Sequence, residues 1–225
     1  MSVLSRPAAL IFDMDGLLLD TEGVYKRSWT AAAAAMGEDL TDELYLQLIG
    51  ITVDDAGRVL ARTFGPEFHL KAFHESARQG YEALVAKEGI PLKPGVVEIL
   101  NWAQAEEIPC GVGTSTVTAE AEERLKSHHL RDRFSVLIGG DQVTKGKPDP
   151  GIFLKVAEQL GIDPARAMVF EDAHSGVRAA VAGGFPVVLV PDLLPATPEI
   201  SRLCIRTLDS LHTARLWLES LPAGS

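Results

Sequence analysis

A doubly wound parallel α/β sheet with an inserted all-helical segment is the fold class this sequence predicts, on three observations. From residue 91 onward, short apolar runs alternate with stretches of helical periodicity. Strands alternating with helices imply right-handed crossovers and a parallel sheet. An earlier apolar run, residues 8–12, has the same strand character but stands apart from the others. The long stretch between carries helical patterns and no convincing strand. At 225 residues with 46% hydrophobic content, the chain is large enough to bury a sheet core and a smaller helical partner.

The elements follow in order. The run at residues 8–12 is the first strand. A helix over residues 24–36, which contains the alanine run 31–35, stops at Gly37, a residue suited to the left-handed position after a helix. Thr41 or Asp42 caps a short helix ending near Gly50, and residues 54–64 give another ending at Gly65. Leu70, Phe73, Ala77, Leu84 and Val85 then fall at helical spacing. After that, Pro94-Gly95 opens a helix running through Glu106, and residues 108–113 are a strand. A helix through residues 120–128 and a strand at 134–138 come next. Asp149 and Pro150 start a helix as cap and first helical residue, and Gly161 ends it. Residues 167–170 are a strand, followed by a helix to about Ala182 that Gly183-Gly184 ends, and then a strand at 187–190. The expected division is a core of residues 1–20 and 92–225 and a helical cap domain of residues 21–91. Its two linkers lie near residues 17–22 and 88–95.

A net charge of -10 argues against long nucleic acid or an anionic membrane surface as partner. No apolar run reaches the roughly 18 residues a membrane span requires. The first residues lack a signal-peptide core, so the expectation is a cytoplasmic protein. Of the two cysteines, Cys110 sits in an apolar run as a small buried hydrophobe, and neither a disulfide nor a cysteine metal cluster is expected.

In a doubly wound sheet, ligands bind at the carboxyl ends of the strands, and four such places carry unusual residues. Asp13 and Asp15 follow the first strand, where unpaired acids are costly. One carboxylate that attacks, a second that shuttles a proton, and room for Mg²⁺ suggest phosphoryl transfer through an aspartyl-phosphate. Gly16 lets backbone approach a ligand closely, and its amide is a candidate phosphate donor. The bland reading is an Asp-Gly turn. Thr114-Ser115 follows the 108–113 strand and offers hydroxyls and amides to a phosphate, or simply a helix cap. Lys147, before Pro148, can neutralise charge on a transferring phosphoryl group, or be a solvated lysine. Glu171 and Asp172 form a hard-cation position, or favour a helix dipole. Four such features in this order, each after a strand, are hard to explain as caps.

Asp13-x-Asp15, Thr114, Lys147-Pro148 and Glu171-Asp172 together resemble the four motifs of the haloacid dehalogenase superfamily. The wording Asp-Met-Asp-Gly-Leu-Leu-Leu-Asp-Thr-Glu, Gly-Lys-Pro-Asp-Pro and Phe-Glu-Asp is similar to its sugar-phosphate phosphatase and β-phosphoglucomutase branch, and to pseudouridine-5′-phosphatase-like proteins. The resemblance implies that Asp13 is the nucleophile and Asp15 the general acid and base. It implies Mg²⁺ held by Asp13, the backbone carbonyl of Asp15 and Asp172, with Glu171 assisting. Thr114 and Lys147, with Ser115 and Gly16, would bind phosphoryl oxygens. Dehalogenases of this superfamily lack an acid at the position of Asp15, so a phosphate monoester is the expected substrate. A β-phosphoglucomutase-like cap carries an arginine for a second phosphate, where this chain reads Gly50-Ile-Thr-Val53-Asp-Asp55. Arg58 or Lys71 are the available substitutes. Hydrolysis of a small phosphorylated metabolite by a monomer is therefore the expectation, with mutase activity as runner-up. The alternative of another class is a non-catalytic phospho-acceptor or binding protein. Receiver domains have similar groups, but they are shorter and lack this insertion. Glu22, on the first linker, is the candidate substrate contact. His174 is read as a loop or capping residue beside the metal motif.

Overall fold

The computed structural model describes residues 5–49 and 53–222, and forms two compact units. One comprises the chain up to Asp20 together with the chain from Pro91 onward; the other is Thr21–Ile90.

The first unit is built on a six-stranded sheet in the order β3-β2-β1-β4-β5-β6. Its strands are β1 (Ala9–Phe12), β2 (Cys110–Gly113), β3 (Val136–Ile138), β4 (Ala167–Glu171), β5 (Val187–Leu189) and β6 (Arg206–Thr207). Every pairing is parallel, so the expected doubly wound sheet is the one observed. β1 lies between β2 and β4, where the strand order reverses. That reversal opens a crevice at the carboxyl ends of the strands.

β1 to β5 are buried throughout, as strands covered on both faces must be. One face packs Ala9, Ile11, Ile138, Val169 and Leu189 with Phe153, Val156 and Val177. Residues two apart share a face, so Leu10 and Phe12 point the other way. There the Phe12 ring stacks on Phe170 at 5.3 Å and meets Phe134 edge-on at 6.1 Å. The glycine in β2 has a packing reason: a Cβ on Gly111 would stand 2.5 Å from Val156 Cγ1 of α7 (Gly151–Leu160).

The helical unit contains α1 (Thr21–Ala35), α2 (Asp42–Leu48), α3 (Val53–Phe64) and α4 (Leu70–Glu88). Thr41 Oγ1 caps α2 by accepting from Leu44 N at 3.2 Å. α1 and α4 pack through a Tyr25–Tyr81 stack with centroids 4.1 Å apart and an edge-on Trp29–Phe73 contact. Gly50, expected near the end of α2, lies outside the described residues, as do residues 51 and 52.

The core helices are α5 (Val96–Ala105), α6 (Thr118–Ser127), α7, α8 (His174–Ala182), α9 (Pro198–Leu203) and α10 (Leu211–Glu219). Beyond residue 190 the periodicity assigns nothing, whereas the structure adds α9, β6 and α10. The expected start of α7 also shifts by one residue. Pro150 stands outside the helix, and Asp149 Oδ1 accepts from Gly151 N at 3.0 Å across the turn. Among the described residues, no helix is long and apolar enough to cross a membrane.

The chain on either side of the helical unit is paired. Asp20 N donates to Pro91 O at 2.8 Å, Lys93 N to Leu18 O at 3.0 Å, and Leu19 faces Leu92 in an antiparallel bridge.

Gly95 combines a φ of +91° with the approach of another backbone, since a Cβ there would stand 1.9 Å from His212 N of α10. Gly95→Ala is expected to lower stability by about 3 kcal/mol or more, read from the urea unfolding midpoint. An unchanged midpoint would mean that α10 does not seat against this residue.

Candidate active site

The site assembles where strand pairing continues one residue past the strands. Asp13 N donates to Phe170 O at 3.0 Å, and Thr114 N to Ile138 O at 3.0 Å, so both residues are fixed at the sheet's carboxyl edge. Because β1 and β4 are neighbours in register, with Phe12 beside Phe170, the residues that follow them share one space. Asp13, Glu171 and Asp172 each offer a carboxylate oxygen within 4.8 Å of the others.

Lys147 reaches this space from the loop before α7, across a cis peptide bond to Pro148. Its Nζ donates to Asp13 Oδ1 and, at 2.6 Å, to Glu171 Oε1. It also lies 4.7 Å from the centroid of the Phe153 ring. Burial works against its charge, but Asp13 and Glu171 outweigh burial and hold the ammonium above the ordinary lysine pKa. Lys147 is therefore not a solvated surface lysine: its side chain is 7% exposed.

One ammonium does not balance three acids. Burial pushes Asp13 up to about 7; Lys147 opposes the rise, and Glu171 and Asp15 add to it. Asp172 is raised well above the usual carboxylate range, first by burial and then by Glu171 and Asp13. Glu171 is fully buried, and Ala173 N donates to its Oε2 at 3.0 Å. It fits only because residue 176 is glycine, whose Cβ would stand 1.7 Å from Glu171 Oε1. Asp172 Oδ1 is buried with no hydrogen-bond partner. An all-oxygen cluster with surplus negative charge and an orphaned carboxylate oxygen fits a hard divalent cation.

Asp15 is held by the chain that follows β2. Arg124 Nη1 donates to its Oδ1 at 2.5 Å, Thr116 Oγ1 to Oδ2 at 2.7 Å, and Thr114 Oγ1 to Oδ2 at 3.3 Å. Thr114 Oγ1 in turn accepts from Thr116 N at 3.1 Å. Sequence reasoning missed Thr116 and Arg124. Thr116 stands two residues beyond the expected hydroxyl. Arg124 reads as half of a surface i,i+4 pair with Glu120, an interaction it also makes, at 2.5 Å.

Two further expected phosphate contacts lie on the loops after β1 and β2. The Gly16 amide donates to Leu19 O at 2.8 Å. Its lack of a side chain is what the site requires: φ is +82°, and a Cβ would stand 2.3 Å from Asp172 Oδ2. Ser115 is exposed, and the hydroxyl next along the chain, Thr116, engages Asp15. Glu22 lies in the first turn of α1 in the helical unit, where Tyr45 Oη donates to its Oε2 at 3.4 Å. It lines a small pocket with Tyr25, Trp29, Tyr45 and Leu48. His174 is the first residue of α8, with Nε2 3.3 Å from Pro195 O.

A family model described as haloacid dehalogenase-like hydrolase matches residues 10–190. The phosphorylated carbohydrates phosphatase of Thermotoga maritima is 36% identical over 180 residues, 78% of this chain and 81% of that protein. Fructose-1-phosphate phosphatase YqaB of Escherichia coli is 30% identical over 183 residues, 81% of this chain and 96% of that protein. Among solved structures, a HAD family hydrolase from Deinococcus radiodurans with bound phosphate and sodium superposes with a TM-score of 0.85. It is 25% identical, with 98% of this chain and 100% of that one covered.

The raised Asp13 carboxyl sets a pH dependence for the metal-free protein. Between the ordinary aspartate value of 3.8 and about 7, the folded chain keeps a proton that the unfolded chain has lost. Stability therefore falls as pH rises through that window, and the full cost is present above it. In EDTA, Asp13→Asn is expected to raise Tm over wild type by several degrees at pH 8 and by much less at pH 5. A Tm difference that does not change with pH would contradict the assignment.

Proposed function

The chain belongs to the haloacid dehalogenase-like hydrolases, and from that premise we propose that it is a Mg²⁺-dependent phosphatase hydrolysing a small phosphate monoester. The reaction runs through an aspartyl-phosphate on Asp13. One observation carries the reading: a buried carboxylate at the end of β1, ion-paired to Lys147, beside the under-compensated Glu171 and Asp172.

In the first half-reaction, an Asp13 carboxylate oxygen attacks phosphorus. The bond from phosphorus to the ester oxygen breaks, and Asp15 delivers a proton to the departing oxygen. In the second, Asp15 takes a proton from water as that water attacks the aspartyl-phosphate, releasing phosphate and restoring Asp13. Lys147 offsets charge that accumulates on the phosphoryl oxygens. Asp13, Asp172 and the backbone carbonyl of Asp15 would hold the ion, with Glu171 beside them. When bound, Mg²⁺ supplies positive charge to the phosphoryl group and to the carboxylate cluster. Arg124 and Thr116 orient Asp15, whose proton must be aimed at the leaving oxygen.

Sugar phosphates are the proposed substrate class, since related phosphatases are named for phosphorylated carbohydrates and fructose 1-phosphate. Glu22 is proposed as a substrate-side contact. The mutase reading is weaker, because Arg58, a candidate for a second phosphate, pairs with Asp55 at 2.5 Å. A monomeric, cytoplasmic protein completes the proposal.

Phosphate release from a panel of sugar, nucleotide and glycolate phosphates tests it directly. Release is expected with Mg²⁺ and not with EDTA, and Asp13→Asn should lower it by on the order of 10⁴-fold or more. Wild-type rates in purified Asp13→Asn would remove the nucleophile assignment. Arg124→Ala should cost about 10–100-fold in kcat on a sugar phosphate, whose leaving group needs a proton. It should cost little on p-nitrophenyl phosphate, whose leaving group does not, and Arg124→Lys should recover part of the loss. Equal losses on both esters would mean that Arg124 does not act through Asp15.

A further inference from the structure

A fourth carboxylate stands over the same glycine as Asp172. A Cβ on Gly16 would lie 2.3 Å from Asp172 Oδ2 and 3.3 Å from Asp192 Oδ2, so the two acids close over one Cα. The position of Asp192 follows from the sheet. Val190 N donates to Glu171 O at 2.7 Å, aligning the end of β5 with the end of β4, and Asp192 comes two residues later. Its side chain is only 6% exposed. Oδ1 accepts from Lys93 Nζ at 2.5 Å, whereas Oδ2 is buried without a hydrogen-bond partner. Asp172 Oδ1 is bare in the same way.

We propose that Asp192 is an outer carboxylate of the divalent-cation site, its Oδ2 accepting a hydrogen bond from a water carried by the ion. This rests on the cation site proposed above. Asp192 lies outside the set of Asp13, Glu171 and Asp172, whose oxygens are close enough to share one ion. An acceptor set back from the ligands suits a bridge through one water, and the water needs such partners to be held in place. Lys93 supports the same assignment. Its ammonium holds Oδ1 and opposes the rise that burial imposes on the Asp192 carboxyl, which leaves Oδ2 as the oxygen with no partner. Lys93 is itself fixed, its backbone bonded to Leu18 and its Nζ 3.7 Å from Asp20 Oδ1. No family motif found in the sequence includes either residue.

Asp192→Asn tests this cleanly. Lys93 only donates, so it takes the amide oxygen and leaves an NH₂ where Oδ2 stood, a donor facing a water that needs an acceptor. Mg²⁺ binding to the full-length protein is measured without substrate, by titration calorimetry and by the Mg²⁺-induced rise in Tm. Each variant is compared with its own metal-free Tm, which separates lost affinity from lost fold. Asp192→Asn is expected to weaken Mg²⁺ by about 10–100-fold, and Asp172→Asn to abolish binding. Unchanged affinity in Asp192→Asn, with binding lost in Asp172→Asn, overturns the role of Asp192 alone. Unchanged affinity in both overturns the cation site itself, and this inference with it.

Discussion

Parallel pairing of β1 with β4 forces Asp13, Glu171 and Asp172 into one buried space at the strands' carboxyl ends. Ionised carboxylates taken from water are stable there only with compensating charge and hydrogen bonds. Lys147 supplies part of that compensation, bridging Asp13 and Glu171. Much of the neighbouring sequence is shaped by what remains. Gly16 and Gly176 are bare because carboxylate oxygens occupy the volume a side chain would fill. The buried Leu17, Leu18 and Leu19 tie the loop after β1 to the core and keep its two aspartates from drifting.

Such a centre adds little to the stability of the fold. Its ion pairs trade against desolvation, and the orphaned oxygens of Asp172 and Asp192 are a net cost. The sheet's apolar layers carry the compensation, from the stacked Phe12 and Phe170 on one face to Phe153 and Val156 on the other. Stability and chemistry are thus divided along the strands: aliphatic along their length, acidic at one end.

The sheet was legible in the sequence because its central strands are continuous apolar runs punctuated by glycine and proline. β6 was not, since its two residues, Arg206 and Thr207, are exposed and carry no apolar signature. At the site, Asp13, Glu171 and Asp172 announced themselves as acids at strand ends, where burial has to be accounted for, and Lys147 by its place before Pro148. Arg124 gave no such signal. It sits on a charged helix, and only the path of α6 after β2 turns its guanidinium onto Asp15. Asp192 and Lys93 are far apart in sequence and acquire meaning only when β5 and the second linker meet. Gly16 was singled out for its backbone freedom, and the structure adds that carboxylates fill the space beside it.

The paired linkers have a consequence for how the chain is organised. Asp20 and Pro91 are hydrogen-bonded neighbours, so the helical unit leaves and re-enters the core at one point, as the tip of a hairpin does. The core therefore fixes the ends of that excursion whatever lies between them. The entropy of closing such a loop grows only as the logarithm of its length. Residues between the linkers can be exchanged, shortened or extended at small thermodynamic cost to the sheet. The carboxylate centre and the helical insert are thus joined by a few residues of antiparallel ribbon, so a change in the length of the insert leaves the strand ends that carry Asp13, Glu171 and Asp172 where the sheet places them.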